Sequence, residues 1–324
     1  MNLLKIFLLL FMTFSIGGCT LFRTVEYETA DGIALQKLNC QIKSDKQTDK
    51  ITLQHEKNIL TLTLNSRLAD FNGIKIWLYS PAKPDIHGDL RINKINIEKI
   101  INPLLLQKYT FERQIKRIVL DAGHGGEDTG AAYYDLKEKD LNLSLCRYIK
   151  TALENKGFEV LMTRNDDTFI SLNDRSIFAK NHNADLFISI HHNASLQKET
   201  VGIETYALTA PDAESTHNSP GISTHARSGN LFDNANIVLS YLVHCAAINN
   251  IKTFDRGIKF ARYKVLVQSP CPAILFEAGF ISSQTEAAEC SSESRQKKTA
   301  DAVAGAVAEF AEITEKVQQK LMPQ

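Results

Sequence analysis

The sequence predicts an α/β protein, a mixed, largely parallel sheet with helices on both faces, preceded by a small α+β domain. Three observations carry this. From Arg117 onward, short apolar runs alternate with segments of helical period, the pattern of helices packed on a largely parallel sheet. Between Thr24 and Arg113 apolar and polar residues instead alternate one by one, which marks half-buried strands. Finally, 324 residues are long for one compact core and suit two domains, while 44% hydrophobic and 23% charged residues place the chain among ordinary globular proteins.

The first nineteen residues stand apart. Lys5 is followed by an almost unbroken apolar run from Ile6 to Ile16, too short to span a bilayer as a helix and ending in small residues. It reads as a secretory signal. Ile16-Gly17-Gly18-Cys19 resembles the lipobox of bacterial lipoproteins. That resemblance implies cleavage before Cys19, lipidation of Cys19 and a membrane anchor through it, with the protein facing the periplasm or the cell exterior. Thr20, not Asp, follows the cysteine. In a Gram-negative envelope this implies the outer membrane. If Cys19 is lipidated, five cysteines remain (Cys40, Cys146, Cys245, Cys271 and Cys290), so at least one thiol stays unpaired. No C-x-x-C pair offers a thiolate zinc cluster. Lys+Arg and Asp+Glu both number 37. With no basic excess to neutralise phosphates, nucleic acid is not an expected partner.

Residues 24–113 form the predicted small α+β domain. Ile51–Leu53 and Leu60–Leu64 alternate as strands. Asn72-Gly73 is a hairpin turn leading into a strand over Ile74–Leu78. Pro81, Pro84 and Gly88 mark a loop, and Asn96 to Leu105 fits one short helix. No catalytic constellation stands in this segment. Residues 114–116 are the expected hinge.

Residues 117–315 form the second predicted domain. Ile118–Leu120 is an apolar strand, and Glu138 to Lys156 has helical period, with Leu141, Leu145, Ile149 and Leu153 on one stripe and Gly157 as its stop. Further strands are predicted at Phe158–Met162, Leu186–Ile190, Ile203–Leu208, Lys264–Val267 and Ala273–Phe276. Helices are predicted from a cap at Ser171, over Asn236–Asn249 and over Arg295–Thr314. Thr209 to Gly229, rich in Ser, Thr, Pro, Gly and His, reads as a mobile loop.

Four segments carry candidate chemistry. Asp121-Ala122-Gly123-His124-Gly125-Gly126 follows a strand, and glycines flanking one histidine let the backbone bend and leave its imidazole in an open cleft. Glu138 opens a helix. Ser189-Ile190-His191-His192-Asn193 ends a buried strand in histidines, where open α/β sheets place their sites. Two histidines and one carboxylate are a standard ligand set for catalytic zinc, which lowers the pKa of bound water to about 7. The fourth segment, Pro272 to Phe280, places Glu277 at the end of an apolar strand, where burial near a cation tunes a carboxyl for general acid–base work. Each feature alone has a plainer reading: a turn histidine, a first-turn glutamate, a strand-end glutamate paired to a cation.

Together, and in order, these motifs resemble the zinc-dependent N-acetylmuramoyl-L-alanine amidases of the amidase-3 family. The resemblance covers Arg117 to about Glu312. It rests on Asp-x-Gly-His-Gly-Gly, Glu138-Lys139-Asp140-Leu141-Asn142-Leu143, Leu161-Met162-Thr163-Arg164, Ser171 to Arg175, Ala184 to His191, Gly202 to Tyr206 and Pro272 to Ser282. It implies zinc held by His124, Glu138 and His191, with Glu277 as the catalytic carboxylate. The implied reaction is hydrolysis of the amide between N-acetylmuramic acid and L-alanine in peptidoglycan, for cell-wall remodelling or daughter-cell separation. His192 departs from the family's usual small residue and is assigned a supporting or surface role. Arg164 and Arg175 read as structural ion-pair residues, and Asn193 as holding a ligand or touching substrate. Two readings of residues 24–113 stay open, a wall-binding module or a spacer. Two rival functions also remain, a zinc peptidase acting on wall peptides and a non-catalytic wall-binding lipoprotein. The short, polar stretch Thr209–Phe232 predicts no long helix plugging the site.

Overall fold

The computed structural model describes residues 33–34, 40–45, 47–84, 90–108, 113–216 and 222–321. The signal segment and Cys19 lie outside the described residues. The N-terminal part contains β1 (Ile33–Ala34), β2 (Gln41–Asp45), β3 (Lys50–His55), β4 (Asn58–Thr63), β5 (Leu68–Phe71), β6 (Ile74–Trp77), β7 (Lys83–Pro84) and β8 (Leu90–Ile92). A helical segment follows, α1 (Lys94–Asn96) running on as a π-helix (Ile97–Leu105). Strands β2 to β6 form an antiparallel meander. The β5–β6 turn is the expected two-residue hairpin, with Asn72 at φ 51° and Gly73 at φ 85°. Both central residues at positive φ give the twist that flanking strands need. β5 (Leu68-Ala69-Asp70-Phe71) was not legible as a strand, because Ala and Asp are both depleted in strands.

The second part contains β9 (Arg117–Ala122), β10 (Ala132–Tyr133), β11 (Leu136–Lys137), α2 (Glu138–Glu154), β12 (Glu159–Met162), α3 (Leu172–Asn181), β13 (Leu186–Asn193), β14 (Ile203–Leu208) and a short 3-10 helix (Ser228–Phe232). There follow α4 (Asp233–Ile251), β15 (Asp255–Ala261), α5 (Lys264–Val267), β16 (Ala273–Phe280), α6 (Gln284–Ser291) and α7 (Glu293–Leu321). Lys264–Val267, expected as a strand, is helix α5. A four-residue apolar run carries too little period to separate the two forms. β15 escaped the sequence reading because Gly257 and two cations interrupt its apolar pattern. The cap at Ser171 is as predicted, its hydroxyl accepting from the Asp174 amide.

One eleven-stranded sheet joins both parts, in the order β12-β9-β13-β16-β14-β15-β6-β5-β4-β3-β2. β12, β9, β13 and β16 are parallel, and β14 runs antiparallel to β16. Helices cover both faces. Ile118, Leu120, Ile188, Ile190, Ile274 and Phe276 pack with the apolar stripes of α2, α4 and α7, whereas Val119, Phe187, Tyr206 and Leu275 pack toward α3 and α5. The first core continues without a break under β3–β6, through Leu53, Leu62, Phe71, Ile76, Ile100 and Leu104. Residues 114–116, expected as a hinge, are tied down. Ile115 is buried, and the amides of Lys116 and Arg117 donate to Asp185 Oδ2 at 3.0 and 2.9 Å.

Candidate active site

Three elements converge at the C-terminal ends of β9 and β13. Beyond β9 the chain turns at His124, which takes φ 62°. Gly123 makes this approach possible, because a Cβ there would stand 2.3 Å from the His191 ring. Glu138, at the start of α2, reaches both histidines: its Oε1 lies 3.1 Å from His124 Nε2 and 2.9 Å from His191 Nδ1. One ligand atom from each residue lies within 4.8 Å of the others. Neighbouring ligands around tetrahedral zinc stand ~3.3 Å apart, as bonds near 2 Å require. The chain's donor set therefore fits such an ion. His124 Nδ1 is held by Asp128 Oδ2 at 2.8 Å, which leaves Nε2 for the cleft. Burial works to raise the Glu138 pKa, but hydrogen bonds from His124 and His191 hold it well below the usual carboxylate range.

Glu277 sits beside this triad. On β16 it pairs in register with His191 of β13 on one side and with Glu204 of β14 on the other. Its Oε2 is buried and has no hydrogen-bond partner among the described residues. Burial, then the Glu138 and Glu204 carboxylates, push its pKa well above the usual range. A buried carboxyl with an unpaired oxygen, in register with a member of a group that could hold a cation, is suited to carrying a proton.

Around these four residues the sequence-predicted supports take definite roles. His192 is buried, not on the surface. Its Nδ1 meets Asn142 Oδ1 at 2.8 Å, and burial pulls its pKa down to about 4. Asn142, one helical turn after Glu138, also donates to Gly123 O at 3.2 Å. Arg175 makes the expected ion pair, at 2.7 Å from Asp121 Oδ1. Arg164 instead ties backbone, donating to the carbonyls of Ala122, Gly123 and Lys139. Asn193 holds Glu204, at 3.2 Å. Glu204 further receives Tyr206 Oη at 2.6 Å, Arg256 Nε at 3.0 Å and Lys259 Nζ at 2.5 Å. Asp128, Asn142 and Glu204 were not singled out from the sequence. The available signal was spacing, four residues from His124 to Asp128 and one helical turn from Glu138 to Asn142. The cysteines Cys40, Cys146, Cys245, Cys271 and Cys290 are all free thiols. Cys146, Cys271 and Cys290 are buried, and Cys40 and Cys245 half-buried.

Comparison with known proteins agrees with this geometry. YqiI of Bacillus subtilis, itself described as uncharacterized, is 33% identical over 192 residues, covering 59% of this chain and 83% of that protein. The N-acetylmuramoyl-L-alanine amidase LytC of the same organism is 33% identical over 186 residues, 57% of this chain and only 34% of LytC. The chain thus spans about a third of the length of that amidase. The solved catalytic domain of CwlV, an N-acetylmuramoyl-L-alanine amidase from Bacillus (Paenibacillus) polymyxa var. colistinus, superposes with a TM-score of 0.52 at 29% identity, covering 61% of this chain and 99% of that domain. The amidase-3 pattern, described as N-acetylmuramoyl-L-alanine amidase, matches residues 118–309, which include His124, Glu138, His191 and Glu277. This chain belongs to the amidase-3 family of N-acetylmuramoyl-L-alanine amidases.

Proposed function

We propose that the protein is a zinc-dependent N-acetylmuramoyl-L-alanine amidase, anchored in the cell envelope through lipid on Cys19, that cuts the amide between N-acetylmuramic acid and L-alanine in peptidoglycan. Residues 117–315 carry the reaction. The observation that carries the reading is the single row formed by His191 and Glu277, with His124 and Glu138 closing a three-ligand group beside them. When bound by His124, Glu138 and His191, zinc supplies a Lewis acid that polarises the amide carbonyl and acidifies water. The rest of the chemistry belongs to the chain. Asp128 holds His124 in the tautomer that presents Nε2. Asn142 and the buried His192 brace Glu138 and the Gly123 turn. Glu277 accepts the proton of the attacking water and delivers it to the leaving nitrogen of L-alanine, a role its raised proton affinity favours. No serine or cysteine nucleophile is required.

The test is to incubate the chain lacking residues 1–19 with purified peptidoglycan and zinc, alongside Glu277→Ala and a chelator control, and to identify products by mass spectrometry. Stem peptides with a free L-alanine amino terminus, absent from both controls, are the expected result. Peptide-bond cuts would make it a peptidase, and binding without product a wall-binding lipoprotein. The anchor is tested separately: Cys19→Ser should release the protein from the membrane fraction.

A further inference from the structure

In a sheet, directly paired residues project from the same face, ~4.8 Å apart from strand to strand. Glu277 pairs with Glu204, and Tyr206, two residues on, pairs with Lys259. Ile258 pairs with Ile76, which sets Lys259 beside Trp77 on the face that carries Glu277. The Lys259 ammonium lies 6.0 Å from the centre of the Trp77 ring. Gly257 makes room for this joint. It has φ +90°, and a Cβ there would come within 3.1 Å of Lys75 and 3.3 Å of the Trp77 ring. Trp77 therefore stands three strands across from Glu277 and two residues along, ~16 Å away, with Glu204 and Tyr206 buried between them. Beyond it the same face carries Thr61, Thr63, Thr52 and Gln54, all half-exposed, while the opposite face of these strands is buried. On this open face Lys75 stands opposite Asp70 and Lys50 opposite Asp45 in register, while Lys43 stands opposite Thr52. Trp77 and these strands lie outside the matched residues 118–309.

We propose that this face is a glycan subsite, in which Trp77 stacks on a sugar ring of the strand whose muramic acid reaches Glu277. The threonine hydroxyls and the Gln54 amide meet sugar hydroxyls further along. An aromatic plate beside neutral hydroxyl and amide groups suits an uncharged, hydroxyl-rich polymer, whereas an acidic stem peptide would call for unpaired cations. The subsite rests on the peptidoglycan reading above for the identity of the polymer. It also makes the N-terminal strands part of the substrate site.

Trp77 is the chain's one tryptophan, so its emission reports on this face directly. The chain without residues 1–19 is titrated with peptide-free glycan strands and, separately, with free stem peptide. A saturable emission change with glycan strands and none with stem peptide is expected. In turnover of intact peptidoglycan, Trp77→Ala should raise KM about tenfold at unchanged kcat, with Trp77→Phe close to wild type and both variants folded at the assay temperature. Emission that glycan strands leave unmoved while peptidoglycan is still cut would overturn the subsite, as would a response to stem peptide alone. If no amide is cut but the glycan response remains, the activity falls and the subsite stands.

Discussion

At the scale of single residues, the site separates charge by environment. Two buried glutamates, Glu138 and Glu277, are driven in opposite directions. Glu138 is held ionised by two histidines, and Glu277 is pushed toward its protonated form by burial and by neighbouring carboxylates. Glu277→Gln is therefore expected to cut kcat by about 10²–10⁴-fold while metal content, measured by elemental analysis, stays at wild type. His191→Ala should lose the metal, and Asp128→Asn should weaken metal affinity about 10–100-fold through loss of its hold on His124. Equal metal loss in Glu277→Gln would assign that residue to the ligands instead. Away from these residues, Arg175 and Asp121 form an ion pair that is 2% and 0% exposed. Arg175→Met leaves an uncompensated carboxylate in the core, and denaturant unfolding should show a loss of about 3–5 kcal/mol.

At the scale of elements, the joint between β6 and β15 is the least predictable part of the sheet and the most chemically specific. Asp255 holds it from both sides. One carboxylate oxygen meets His244 Nε2 at 2.9 Å, and the other accepts from the Lys75 amide at 2.8 Å. Burial works to raise the Asp255 pKa, yet the His244 and backbone hydrogen bonds lower it below its ordinary value. The unfolded carboxyl titrates near ~3.9, so the joint's stabilisation is complete above that pH and is lost as pH falls through the lower folded value. The melting temperature of wild type should then fall more steeply below about pH 4 than that of Asp255→Asn. Parallel slopes for the two proteins would sink this account.

At the scale of the whole molecule, the N-terminal strands and the family-matched part share one core. Phe71 packs edge-on against Tyr241 of α4 with ring centres 4.8 Å apart, and Lys99 pairs with Asp233 at the start of α4, at 3.1 Å. Removing residues 24–112 would expose the edge of β15 and this side of α4 to water. A chain starting at Arg113 is expected to melt at lower temperature and to bind a hydrophobic dye that the longer chain does not, both read in one thermal scan. Equal melting of the two would mean that the N-terminal strands dock without contributing to the core.

What could be read from the residues alone follows one rule: it was local. The hairpin at Asn72-Gly73, the cap at Ser171, the stripe of α2 and the strands ending in His124's loop and in His191 all depend on neighbours within a few positions. Period and turn chemistry act over that range. The candidate ligands His124, Glu138 and His191 could be picked out because each stands at an element's end in a recognisable motif, and the fold brings the three together. What the residues did not disclose depends on partners far apart in the chain. The amide of Lys75 meets Asp255 across 180 positions, and Asn142 meets His192 across 50. Nothing in β6 or β15 alone specifies that they pair, because strand pairing is settled by which apolar faces can be buried together once the helices have packed. The segment 114–116, expected as a hinge, is tied down by Asp185 across 69 and 68 positions, a partner that no local pattern names.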